Sequence, residues 1–197
     1  MSDTVRPERI IGQGTNRQMA DITEKALRKK LELHLVRYRT RAPDWDAFTD
    51  ARLPGYRRAQ LRYVGSGASG KNDQNIISPY NFTLSMMYVP VGEGNAPHTH
   101  EVEEVFFILK GHLAVFLEDD EGNRVEETLG PWDCISCPPN MVHGYQNNGL
   151  EPVFLQVMLG KSRPALMGYA DPELRKRRDE HLRELKNRVP LKGNKEQ

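Results

Sequence analysis

GEGNAPHTHEVEEVFFILKG, residues 92–111, is the stretch whose reading decides the fold. Side chains alternate across an extended strand, so His98, His100, Val102, Glu104, Phe106 and Ile108 share one face, while Glu101, Glu103 and Val105 share the other. Two imidazoles and one carboxylate therefore stand on the same side. On a helix the rings at 98 and 100 would sit about 200° apart at about 3.6 residues per turn and could not grip one ion together. Pro97 also argues against a helix. The same parity selects Glu104 over Glu101 and Glu103 as the third ligand.

Around this stretch the chain reads as a series of strands. From Tyr80 onward, alternating segments are separated by turn residues, the pattern of a sandwich or barrel. NFTLSMMYVPVG sets Phe82, Leu84, Met86 and Tyr88 against Thr83, Ser85, Met87 and Val89. LAVFLEDDEGNRVEETLG predicts a hairpin turning around Asp120 to Asn123. WDCISCPP and PVFLQVMLG supply further strands. Upstream, RRAQLRYV predicts a strand whose Arg58, Gln60 and Arg62 face solvent or a second subunit, as charged side chains on sheet edges commonly do. The glycines of 65–75 lack the spacing and the following helix of a phosphate loop.

The segment WDCISCPPNMVHGYQN, residues 132–147, completes the pattern. Gly92, His98-x-His100, Glu104 and Gly111 match G-x5-H-x-H-x3-E-x6-G without departure. Pro138, His143 and Asn147 fit G-x5-P-x-G-x2-H-x3-N, with Trp132 and Asn140 in the two glycine positions. The chain thus resembles the cupin superfamily over these two motifs. That resemblance implies an all-β fold, a cupin double-stranded β-helix or jelly-roll barrel, here with helical extensions at both ends. With the residue pattern at the two ends, the chain reads as three divisions: an N-terminal extension over 1–55, partly helical; the barrel over 56–163; and a C-terminal helix and tail over 164–197. It also implies that His143 joins His98, His100 and Glu104 as a metal ligand, and that the helical extensions build a homodimer.

Three neutral imidazoles and one carboxylate leave a divalent ion with about one unit of positive charge. Zinc bound by four protein ligands makes a closed site, whereas a six-coordinate ion keeps two positions free. Iron(II) is favoured on that ground, with manganese(II), nickel(II), cobalt(II) and zinc(II) as alternatives. The expected function is a non-haem iron(II) dioxygenase acting on a small organic molecule. An oxygen-independent isomerase, decarboxylase or lyase using the metal as a Lewis acid is the second reading, and a non-catalytic small-molecule-binding protein the third. Phe106, Ile108, Met86 or Met87, and Phe154 or Leu155 are expected to form an apolar barrel mouth suited to an aromatic or diketone-like ligand. Tyr88, Tyr145 and Gln156 are the polar residues expected beside the ion, as proton donors or substrate-orienting groups.

Composition narrows the rest. With 28 basic and 27 acidic side chains in 197 residues, the net charge of +1 calls for neither nucleic acid nor an anionic membrane. No apolar run approaches the length of a membrane span and MSDTVRPERI lacks a signal-peptide core, so a cytoplasmic location is expected. Cys134 and Cys137 lie three residues apart on one strand, hence on opposite faces, and read as reduced structural cysteines rather than a zinc or redox pair. His34 and His112 read as structural. A helix capped by Asp21 is predicted near the N-terminus, and one capped by Asp171, with Pro172 in its first turn, near the C-terminus.

Overall fold

The computed structural model describes residues 24–71, 73 and 75–188. It divides into two units, Met1–Leu33 and His34–Gln197. In the first, helix α1 (Glu24–Leu33) buries none of its residues; its predicted cap Asp21 lies outside the described residues.

Among the described residues the second unit has ten strands: β1 (Ala59–Val64), β2 (Thr83–Val89), β3 (His98–Thr99), β4 (Glu104–Lys110), β5 (Leu113–Glu118), β6 (Arg124–Leu129), β7 (Cys134–Cys137), β8 (Val142–Gln146), β9 (Val153–Leu159) and β10 (Gly168–Tyr169). They form two five-stranded antiparallel sheets, ordered β1-β2-β9-β4-β7 and β10-β3-β8-β5-β6. Strand alternation turns Met87, Val89, Phe106, Ile108, Val115, Tyr145, Leu155 and Val157 into one core between the sheets. This is the double-sheet, jelly-roll architecture expected from the sequence. Among the described residues no helix is long and apolar enough to cross a membrane.

Turn chemistry holds the register. Gly111 adopts φ +81, and a side chain there would come within 3.0 Å of the Pro152 carbonyl. Trp132 and Asn140, which stand where the second motif has glycines, take positive φ of 75 and 64. The left-handed turns therefore persist without glycine, and Asn140 N–H donates to the backbone oxygen of His100 (2.8 Å). Helix α2 (Pro172–Arg188) opens with the Asp171 carboxylate accepting from Glu173 N–H (2.8 Å), the predicted cap. Leu174 is buried and Leu182 half-buried.

The polar face of β1 is a correction. Arg58, Gln60 and Arg62 are not solvated but are 1%, 2% and 7% exposed. The strand is no open edge, because Asp44 and Gln60 exchange backbone hydrogen bonds (2.9 and 3.0 Å), so segment 44–53 covers it. Each arginine is matched to a carboxylate of that segment, Arg62 to Asp44 (2.6 Å) and Arg58 to Asp50 (2.9 Å). A buried charge with a fitted partner and a solvated charge leave the same mark on a sequence.

Candidate metal centre

Strand pairing and one loop contact deliver the ligands of the candidate centre. His98 and His143 face each other directly across the β3–β8 pair. Glu104 comes from the opposite sheet, where it begins β4 between Cys137 of β7 and Leu159 of β9. His100 follows β3 by one residue, its backbone held by Asn140. Parity aims all four into the barrel, where His98, His100, Glu104 and His143 are buried and their ligand atoms all lie within 4.8 Å of one another.

His98 Nδ1 lies 2.9 Å from the Ala96 carbonyl and His143 Nδ1 lies 2.8 Å from that of Met141. A carbonyl only accepts, so both rings carry hydrogen on Nδ1, and a neutral ring then presents a bare lone pair at Nε2. Those Nε2 atoms sit 3.4 and 2.9 Å from Glu104 Oε2, with His100 Nε2 at 3.5 Å. His100 Nε2 is buried without a hydrogen-bond partner. Burial pushes the His100 imidazole down to about 4, against the attraction of Glu104, so this ring is neutral at pH 7. Burial pushes the Glu104 carboxyl up, but the imidazoles of His100, His143 and His98, in the forms that carry hydrogen on Nε2, outweigh it and hold the group well below its ordinary value. A carboxylate facing imidazole lone pairs in a dry interior is repulsive unless a cation stands between them. The donor set therefore fits a divalent ion, with both Nδ1–H groups anchored as metal-binding histidines require.

A network missed by the sequence reading braces this centre. The Asp50 carboxylate accepts from both terminal nitrogens of Arg58 (2.9 and 3.1 Å), from Ala96 N–H (2.9 Å) and from Tyr169 O–H (2.9 Å). Ala96 is also the residue whose carbonyl orients His98. Burial would raise Asp50, yet Arg58 and the other donors hold it below its ordinary value. Burial would lower Arg58, yet Asp50 more than compensates. No spacing marks Asp50 and Arg58 in the sequence as a pair.

The three other polar candidates separate. Tyr145 faces inward beside the ligands and packs edge-on against Phe106 (centroids 5.2 Å apart). Tyr88 and Gln156 do not reach the site, which corrects the sequence reading. Tyr88 lies on the outer face of β2, edge-on to Trp45 (5.8 Å) and Phe154 (5.1 Å). Gln156 lies on the outer face of β9, its amide 3.4 Å from Met158 Sδ. Met87 and Leu155 point inward, whereas Met86 and Phe154 occupy the outer positions. Gln60, read as solvated, lines the cavity instead, and its Oε1 has no partner.

The cavity is also smaller than the apolar mouth expected from the strand faces. Bounded by His98, His100 and Glu104 with Gln60, Ser85, Met87, Phe106 and Val157, it measures ≈ 20 Å³. That holds an ion or about one water, not an aromatic ring. Phe48, Ala68 and Met167 close it. Cys137 is buried, its thiol pushed up to about 12 by burial and by Glu104, while Cys134 is exposed; both are free.

Comparison with known proteins agrees with this architecture. The rhicadhesin receptor of Pisum sativum is 32% identical over 91 residues, which is 45% of this chain and 42% of that protein, so the match spans less than half of that relative's length. The polyketide cyclase RemF from Streptomyces resistomycificus superposes with a TM-score of 0.51 at 19% identity, over 70% of this chain and 84% of its own. Peruvianin-I, a cysteine peptidase from Thevetia peruviana latex, gives 0.53 at 15% identity, over 70% and 78%. Their differing descriptions leave these structures bearing on the fold alone. Residues 85–159 match the family model described as "Cupin domain", and with the two sheets around the inward His98, His100, Glu104 and His143, this chain carries a small cupin domain.

Proposed function

We propose that this chain is a mononuclear metal oxidoreductase that holds one iron(II) ion through His98, His100, Glu104 and His143 and oxygenates or cleaves a small organic substrate with dioxygen. One observation carries the reading: four buried ligand atoms lie within 4.8 Å of one another, and two of the rings spend their Nδ1–H on backbone carbonyls. A bound six-coordinate ion would supply Lewis acidity and two positions beyond the four protein ligands.

The protein's own groups have separate tasks. The Ala96 and Met141 carbonyls fix two ring orientations. Glu104 stays ionised and provides the compensating negative charge. Tyr145, its pKa raised chiefly by burial, stays protonated and can donate but not abstract a proton. Gln60 Oε1 offers an acceptor to an O–H or N–H in the cavity. Met87, Phe106 and Val157 keep bulk water out.

The test is oxygen uptake by untagged protein reconstituted with iron(II), screened against small organic acids, phenols and diketones. Uptake stoichiometric with substrate loss, abolished in Glu104→Ala, is expected. Turnover that continues unchanged without oxygen refutes the dioxygenase reading and favours Lewis-acid isomerase, decarboxylase or lyase chemistry at the same ligands.

A further inference from the structure

The metal-side cavity shares a wall with a second, larger one. Phe48, Ala68 and Met167 line both the ≈ 20 Å³ space and a neighbouring cavity of ≈ 250 Å³. The larger space lies among segment 46–53, loop 68–71, residues 166–169 and α2. Its apolar surface comes from Phe48, Leu53, Leu166, Met167 and Leu182. Its charged groups are Arg52, Lys71, Arg177 and Arg178 against Asp46.

Charge pairing singles out one corner. Arg52 pairs with Asp46 (3.3 Å), Arg177 with Glu173 (3.3 Å) and Arg178 with Asp179 (2.8 Å). Lys71 shares its partner: Asp44, 3.0 Å away, also bonds Arg62 at 2.6 Å. One carboxylate thus faces two cations, and a unit of positive charge is left over beside an apolar chamber. A single negative group attached to a compact apolar body matches both features.

We infer that the ≈ 250 Å³ cavity binds a small amphipathic monocarboxylate, its carboxylate paired with Lys71 and its body lying on Phe48, Leu53, Leu166 and Met167. A ligand seated there is one layer of side chains, Phe48 and Met167, from the metal centre. The cavity's role as the substrate chamber rests on the metal-enzyme reading; its affinity for the anion does not.

The experiment is calorimetric titration of benzoate and hexanoate, with benzyl alcohol and hexanol as neutral counterparts, into metal-loaded and chelator-stripped protein. Each acid is expected to bind both forms, about tenfold tighter than its alcohol. Lys71→Gln is expected to erase that preference and Lys71→Arg to keep it. Leu53→Trp, or Leu182→Trp should the first not fold, fills the chamber and is expected to abolish binding while metal content and circular dichroism are unchanged. Absence of saturable acid binding in the millimolar range, binding that survives both tryptophan variants, or binding that vanishes with the metal overturns the assignment. Failure to load metal with acid binding intact refutes the metal reading and leaves this site standing.

Discussion

Replacing Asp50 by asparagine removes one charge and leaves almost the same shape, so it isolates the electrostatics under the metal strand. Arg58 is 1% exposed and Asp50 0%, and the carboxylate accepts four hydrogen bonds, from two guanidinium nitrogens, Ala96 N–H and Tyr169 O–H. An amide has one acceptor oxygen and turns an NH₂ toward a donor. Arg58 is left charged, buried and uncompensated. Breaking a buried pair in this way costs about 3–5 kcal/mol, or roughly 6–20 °C in Tm for a chain of this size. Urea unfolding followed by tryptophan fluorescence and circular dichroism reads the loss. A second variant makes the reasoning sharper. Removing both charges, in Asp50→Asn with Arg58→Met, is expected to be more stable than Asp50→Asn alone, because the unpaired charge has gone. Because Ala96 links Asp50 to the His98 ring, the single variant is also expected to weaken metal binding by about tenfold or more. A loss below about 1 kcal/mol in the single variant, or a double variant worse than the single, refutes the argument.

Acid is expected to destabilise the metal-free protein through His100. His100, pushed down to about 4 when folded, regains its ordinary value of 6.5 when unfolded, so the unfolded chain takes up the proton first. Its stabilising contribution is complete above pH 6.5 and falls toward pH 4, by roughly 2–3 kcal/mol; urea titrations of apo protein at pH 7 and 4.5 are expected to show this, and His100→Asn to flatten it. At the left-handed turn, Asn140→Gly is expected to be nearly neutral and Asn140→Val to cost about 1–2 kcal/mol by thermal unfolding. Tyr145→Phe is expected to lower kcat with metal content unchanged, whereas Tyr88→Phe and Gln156→Met, outside the barrel interior, are expected to leave kcat within about twofold.

The ligand set was legible in the sequence because period-two alternation and motif spacing act on neighbours along the chain. Both hold for His98, His100 and Glu104, and the register that brings His143 opposite His98 follows from the second motif. Trp132 and Asn140 show the spacing surviving where the expected glycines do not, since positive φ is a property of the turn rather than of one residue type. Parity within a strand was readable too, but not its sense. Tyr88 and Gln156 fell on the outer faces of β2 and β9, a choice made by packing against Trp45, Phe154 and Met158. The polar face of β1 was misread for a related reason. Nothing local to RRAQLRYV reveals that Asp44 and Asp50 lie over it, because those contacts are made only after the chain has folded back. The closure of the cavity by Phe48 and Met167 depends on the same long-range return.

The central claim is that three imidazole nitrogens and the Glu104 carboxylate close on one cation inside the barrel. Anomalous diffraction from crystals of untagged protein grown with manganese(II) tests it directly. The account expects a single strong peak per chain, bonded to Nε2 of His98, His100 and His143 and to Glu104, and absent in Glu104→Ala. No peak inside the barrel, or a peak that persists in Glu104→Ala, contradicts it.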